Sequence, residues 1–121
     1  MTRTKLPQSG EIWLVNFDPT IGKEIKKTRP AVVISSNAIG ILPIKLVAPL
    51  TDWKDWYRGN LWHIKIEPNK ANGLAKESSV DVLQLRGVDT QRFIRKLGTV
   101  PPEKMSEITI AIVTVIEAEL P

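Results

Sequence analysis

Gly10–Ser36 reads GEIWLVNFDPTIGKEIKKTRPAVVISS, and the fold turns on how this stretch is parsed. Gly10 to Phe17 is rich in aromatic and aliphatic side chains and lies between Ser9-Gly10 and Asp18-Pro19, the punctuation of a buried strand. Pro30 to Ser36 is a second, β-branched run. Residues 18–29 therefore form a long polar connection between two strands, with charge concentrated in Lys23, Glu24, Lys26, Lys27 and Arg29.

Downstream, the apolar stretch Ile41–Leu50 carries Pro43 and Pro49, which favour an edge or a bend over a central strand. Leu61–Glu67 alternates, with Trp62, Ile64 and Ile66 on one face and His63, Lys65 and Glu67 on the other, so His63 is expected to face solvent. In Ser79–Arg86 the phase slips, because Val80 and Val82 share one parity while Leu83 and Leu85 share the other; a β-bulge near Val82 accounts for the slip. A short strand is expected around Lys96–Val100, after which Pro101-Pro102-Glu103 opens a helix. The tail ITIAIVTVI has strong β propensity, yet Met105, Ile108, Ile112, Ile116 and Leu120 recur at helical spacing, and the helix is preferred. Being apolar almost all round, it needs cover on more than one side, for which a partner subunit is the expected source. The pattern is mainly β with a C-terminal helix.

Composition narrows the chemistry. The chain has 121 residues, 42% hydrophobic and 25% charged, which suits one self-sufficient domain over 1–121. It has no cysteine and one histidine, so disulfides, thiolate ligands and an imidazole cluster for zinc are not expected. The acidic residues are scattered, with no spacing that gathers oxygens about a cation. Neither metal nor cofactor is expected, and any reaction falls to organic side chains. A net charge of +4 mildly favours a polyanionic partner. The N-terminus MTRTKLPQSG lacks an export-type apolar run, and no stretch reaches membrane-spanning length, so the expected address is the cytoplasm.

The pattern W-x-x-x-F-D-P, a loop with G-x-E, then K-x-R-P followed by A-V-V-I-S resembles the opening of the MazF/PemK endoribonuclease toxins. LVAPLT (46–51) resembles the family's third strand ending in threonine, NGLAKESSV (72–80) its glycine-to-Ser-Val turn, and the tail its last helix. The likeness spans most of Gly10 to Leu120. It implies a small SH3-like, CcdB-like barrel with a C-terminal α-helix, working as a homodimer. It also implies cleavage of single-stranded RNA by the substrate's own 2′-hydroxyl, without a metal, leaving a 2′,3′-cyclic phosphate and a 5′-hydroxyl, and a cognate antitoxin with a flexible acidic tail.

Carried over position by position, the resemblance makes Arg29, Thr51 and Glu24 the catalytic candidates. A guanidinium can meet two non-bridging phosphate oxygens with its planar fork, and a threonine hydroxyl can donate to the same oxygens. Arginine is a poor base at neutral pH, so Glu24 either takes the 2′-hydroxyl proton or orients Arg29. Position 28, sometimes histidine in relatives, is threonine here. For RNA, Lys23, Lys26 and Lys27 are candidates for phosphates and Phe17 and Trp53 for stacking on bases. Ser79 and Gln84 match groove positions of relatives, Gln84 across a one-residue gap.

Each has a plainer reading: a lysine-rich solvated loop, an Arg29–Glu24 surface ion pair, a Trp53–Trp56 loop packed back on the barrel, and Trp13 and Trp62 as core. Two other functions share the barrel, a non-enzymatic gyrase-binding toxin and a catalytically inactive nucleic-acid-binding barrel.

Overall fold

The computed structural model describes residues 6–119. Its strands are β1 (Glu11–Asn16), β2 (Thr28–Val33), β3 (Ile44–Asp52), β4 (His63–Ile66), β5 (Ser78–Asp81), β6 (Arg86–Asp89) and β7 (Phe93–Thr99), followed by the helix α1 (Pro102–Val115). The strands are antiparallel in the order β4-β5-β3-β2-β1-β7, with β6 pairing the first half of β3. The end strands β4 and β7 do not pair, so the expected barrel is an open, rolled sheet.

Rolling explains why β1 and β2 are apolar on both faces. On one face Ile12, Val32, Ala48 and Leu50 pack with Ile64, Ile66 and Val80 beneath Ile108 and Ala111 of α1. On the other, Trp13, Val15, Ala31, Val33 and Val47 enclose Phe17 and Val88. A strand sandwiched between two cores loses the polar alternation of a half-exposed one.

Three expectations change. Strand β3 is central, with Pro49 inside it. The proline is accommodated because β3 changes partners there: Val47 is the last residue paired with β6 and Leu50 the first paired with β5, so on that side no ladder bond is asked of its missing N–H. The phase slip after Ser79 is a 3-10 turn over Val82–Gln84 rather than a bulge, begun by the Asp81 carboxylate accepting from the Leu83 amide at 3.1 Å. The last strand starts at Phe93, earlier than its apolar end suggested.

The helix forms where expected, with proline in its first turn. Thr109 and Thr114 satisfy their hydroxyls within the helix by donating to the carbonyls of Met105 and Ile110. Ile108 is fully buried, whereas Ile110 and Ile116 are each 65% exposed, so one flank is uncovered. Leu120, the last residue of the helical repeat, lies outside the described residues. Among the described residues no helix is long and apolar enough to cross a membrane.

Candidate active site

Strand register brings Arg29 to Thr51. The β2–β3 ladder pairs Val33 with Val47, Val32 with Ala48 and Ala31 with Pro49 and ends there, with Arg29 two residues before Ala31 and Thr51 two residues after Pro49. Alternation puts both on the Val33 and Val47 face. Both line a cleft of about 280 Å³, with Lys27, Asp52 and Lys76 around it. The cleft's carboxylate is occupied, since Asp52 pairs with Lys76 at 3.0 Å. Arg29 donates from Nε to the Lys26 carbonyl at 3.4 Å, and among the described residues no carboxylate pairs with it. A half-exposed guanidinium without a carboxylate partner, in a cleft that a hydroxyl also lines, has the chemistry to receive an oxyanion.

Glu24 is not brought to Arg29. Its carboxylate accepts from the Ile21 amide at 2.5 Å and lines a different hollow, of about 460 Å³, with Lys23 and Gln84. The Arg29–Glu24 ion pair is therefore absent. Gln84 clamps this loop: its side-chain oxygen accepts from the Ile25 amide at 2.5 Å and its amide donates to the Lys23 carbonyl at 3.4 Å. The base of the loop is closed by the Phe17 amide on the Lys27 carbonyl and the Lys27 amide on Asp18, both at 2.9 Å. Arg92 donates to the carbonyls of Asn16 and Asp18, and Arg86 to that of Phe17. These two arginines hold backbone, a role that sequence reading missed because such interactions have no spacing signature.

Two RNA-binding expectations need correction. Phe17 is fully buried in the second core with the Arg86 guanidinium 5.6 Å from its ring centre, so it has no face free for a base. Ser79 is fully buried as well, its hydroxyl 2.7 Å from His63 Nδ1. Lys23, Lys26 and Lys27 are exposed along the loop. Trp53 is half-buried, edge-on to Tyr57 at 5.8 Å, with the Lys65 ammonium 5.2 Å from its ring centre. Its indole N–H is buried without a partner. With Tyr57 and His63 it borders a third hollow of about 380 Å³.

His63 is the main surprise. It keeps the half-exposed face that alternation gave it, but its ring stacks on Tyr57 at 3.6 Å and 7°, and it sits across the β4–β5 ladder from Asp81. Burial lowers the His63 pKa, a shift that the facing Asp81 opposes. Burial raises the Asp81 pKa, opposed by His63 and by hydrogen bonds from the Leu83 and Gln84 amides and the Gln84 side chain. Alternation gave the strand but said nothing of the Tyr57 turn that folds over it.

Comparison with known proteins identifies the family and agrees with the fold. The family model described as PemK-like, MazF-like toxin of type II toxin-antitoxin system matches residues 8–116. The endoribonuclease toxin MazF of Escherichia coli K12 is 30% identical over 112 residues, covering 89% of this chain and 92% of that one. Among solved structures, MazF from Deinococcus radiodurans superposes with a TM-score of 0.78 at 22% identity, covering 94% of this chain and 99% of that one. An endoribonuclease in complex with its cognate antitoxin from a mycobacterial species superposes at 0.73 with 17% identity, covering 96% and 100%. The chain belongs to the PemK-like, MazF-like toxin family of type II toxin–antitoxin systems.

Proposed function

We propose that this chain is an endoribonuclease toxin that cleaves single-stranded RNA without a metal, using Arg29 and Thr51 to stabilise the scissile phosphate. The observation that carries the reading is the meeting of an unpaired guanidinium and a hydroxyl, from different strands, in one cleft. The 2′-oxygen, its proton passing to water, attacks phosphorus as the bond to the 5′-oxygen breaks, and the departing 5′-oxygen takes a proton from water, giving a 2′,3′-cyclic phosphate and a 5′-hydroxyl. Charge grows on the non-bridging oxygens, where the Arg29 fork and the Thr51 hydroxyl donate; each preorganised donor of this kind is worth about 3 kcal/mol of barrier. Lys23, Lys26 and Lys27 neutralise flanking phosphates. Glu24 holds the loop through the Ile21 amide, outside the phosphate cleft.

The same basic loop suits the acidic, flexible tail of an antitoxin, which would compete with RNA. The exposed Ile44 and Leu46 of β3, with Ile110 of α1 and Ile116 just past its end, favour a homodimer that covers apolar surface. The cytoplasm, where messenger RNA is translated, is the compartment this activity requires. Incubation of the folded protein with a long RNA in EDTA tests the reading: fragments bearing 5′-hydroxyl ends are expected, and intact RNA would overturn it. Sedimentation at micromolar concentration tests the dimer, which Leu46→Glu should weaken.

A further inference from the structure

The hollow of about 460 Å³ reaches Pro49, two residues before Thr51 on β3, a separation of about 7 Å along the strand. Arg86 enters it from β6, where it pairs with Val47, and Lys23 and Glu24 enter from the β1–β2 loop. Ile25, Leu85 and Leu83, the last 59% exposed, make much of the remaining wall apolar. Gln84 lines the hollow too, but its polar atoms are engaged: the oxygen accepts from the Ile25 amide, and the NH2 group reaches the Lys23 carbonyl and Asp81.

Arg86 keeps most of its donors. One of its terminal nitrogens donates to the Phe17 carbonyl at 3.4 Å, with the guanidinium 5.6 Å from the Phe17 ring centre, and the rest of the planar fork has no acceptor among the described residues. Glu24 accepts from the Ile21 amide with Oε1 and leaves Oε2 unclaimed. Both line one hollow, yet among the described residues neither pairs with the other or with any other charge. A phosphate here would set an anion against Glu24, and a cation would face Arg86 and Lys23. The lining suits an uncharged planar group with acceptors on one edge and donors on another, which describes an unpaired nucleobase.

We propose that this hollow reads a guanine flanking the cut, with Arg86 as the specificity-determining residue. The inference rests on the chain cleaving single-stranded RNA, as proposed above. The Arg86 fork donates to O6 and N7, the adjacent acceptors of guanine's Hoogsteen edge, and Glu24 accepts from N1–H and the N2 amino group. Adenine puts an amino group where guanine has O6, so it offers the fork one acceptor there. Uracil sets N3–H between its two carbonyls. Cytosine has adjacent acceptors in O2 and N3, but its single ring covers less of the apolar wall of Ile25, Leu83 and Leu85.

Mapping the ends of fragments cut from a long RNA by the full chain tests this, and guanine should be enriched at one fixed position beside the cut. In synthetic RNAs carrying that site, 7-deazaguanine, which lacks the N7 acceptor, should lower kcat/KM about tenfold. Inosine, which lacks the N2 amino group, should lower it several-fold. Arg86→Met, which keeps an apolar stem against Phe17, should cut guanine and adenine sites at equal rates, and Glu24→Gln, which turns the free acceptor into a donor, should lose its sensitivity to inosine. The modified RNAs leave the protein unaltered, so they decide the question even where Arg86→Met fails to fold. RNA left intact by the wild-type chain would remove this inference together with the reading beneath it. Cleavage with no base or another base enriched, undiminished cleavage at 7-deazaguanine, or a folded Arg86→Met that still prefers guanine would overturn the guanine site alone.

Discussion

The cleft of Arg29 and Thr51 and the cluster around His63 adjoin on one face of the sheet, and they are built in opposite ways. In the cleft, charge is left unanswered: Arg29 has a backbone carbonyl at 3.4 Å and, among the described residues, no carboxylate. In the cluster, Ser79 meets His63, Asp81 accepts from the following turn, and Tyr57 covers the ring. The open cleft is suited to a transient anion, whereas the closed cluster holds the strands that shape it. The difference teaches that changes in the first should cost activity with little stability, and changes in the second the reverse.

Arg29→Ala is the strongest way to break that distinction. It should lower kcat by about 100- to 1,000-fold, as loss of preorganised electrostatic stabilisation does, while shifting the melting temperature little because the side chain is half-exposed. A large fall in Tm would show that Arg29 belongs to the fold. Arg29→Lys should recover part of the activity, since the point charge returns without the fork.

Replacing Lys23, Lys26 and Lys27 together by alanine should weaken RNA binding and flatten its salt dependence. For single strands the slope of log K against log salt changes by about 0.7 for each phosphate that is no longer neutralised. Titrations at several salt concentrations measure this, and an unchanged slope would return the lysines to ordinary solvated surface.

On the other side of the comparison, Gln84→Ala removes the clamp on the Ile25 amide and Lys23 carbonyl. It should cost about 1–2 kcal/mol in denaturant unfolding and speed amide exchange in the loop.

The smallest effect is on pH dependence. Burial holds His63 below its ordinary 6.5, so below that pH the unfolded chain binds a proton that the folded chain resists; stability falls as pH drops through the folded pKa. Asp81, raised above 3.8 by burial, acts in the opposite sense: the stability linked to its bound proton is present at lower pH and lost as pH rises through its folded pKa. His63→Asn should therefore show a shallower decline in Tm than wild type as pH is lowered from 7 toward about 5.5, read by thermal unfolding.

Which parts of this were legible in the sequence follows from the range of the interactions. Apolar runs bounded by Gly10 and Asp18-Pro19, the alternation of Leu61–Glu67 and the proline entry to α1 are local patterns, set by side-chain direction within one element, and they gave the mainly β chain with its last helix. The W-x-x-x-F-D-P and K-x-R-P motifs pointed to Arg29 and Thr51 only through resemblance, as no local rule links residues so far apart in the chain. Their meeting was decided by the β2–β3 register, and the separation of Glu24 from both by the Ile21 turn and the Gln84 clamp. Burial of Phe17 and Ser79 and the stacking of His63 on Tyr57 likewise depend on segments that arrive from elsewhere in the chain. A strand carries its periodicity in its own residues, but which neighbour covers a face, and in what register, exists only once the sheet has rolled up.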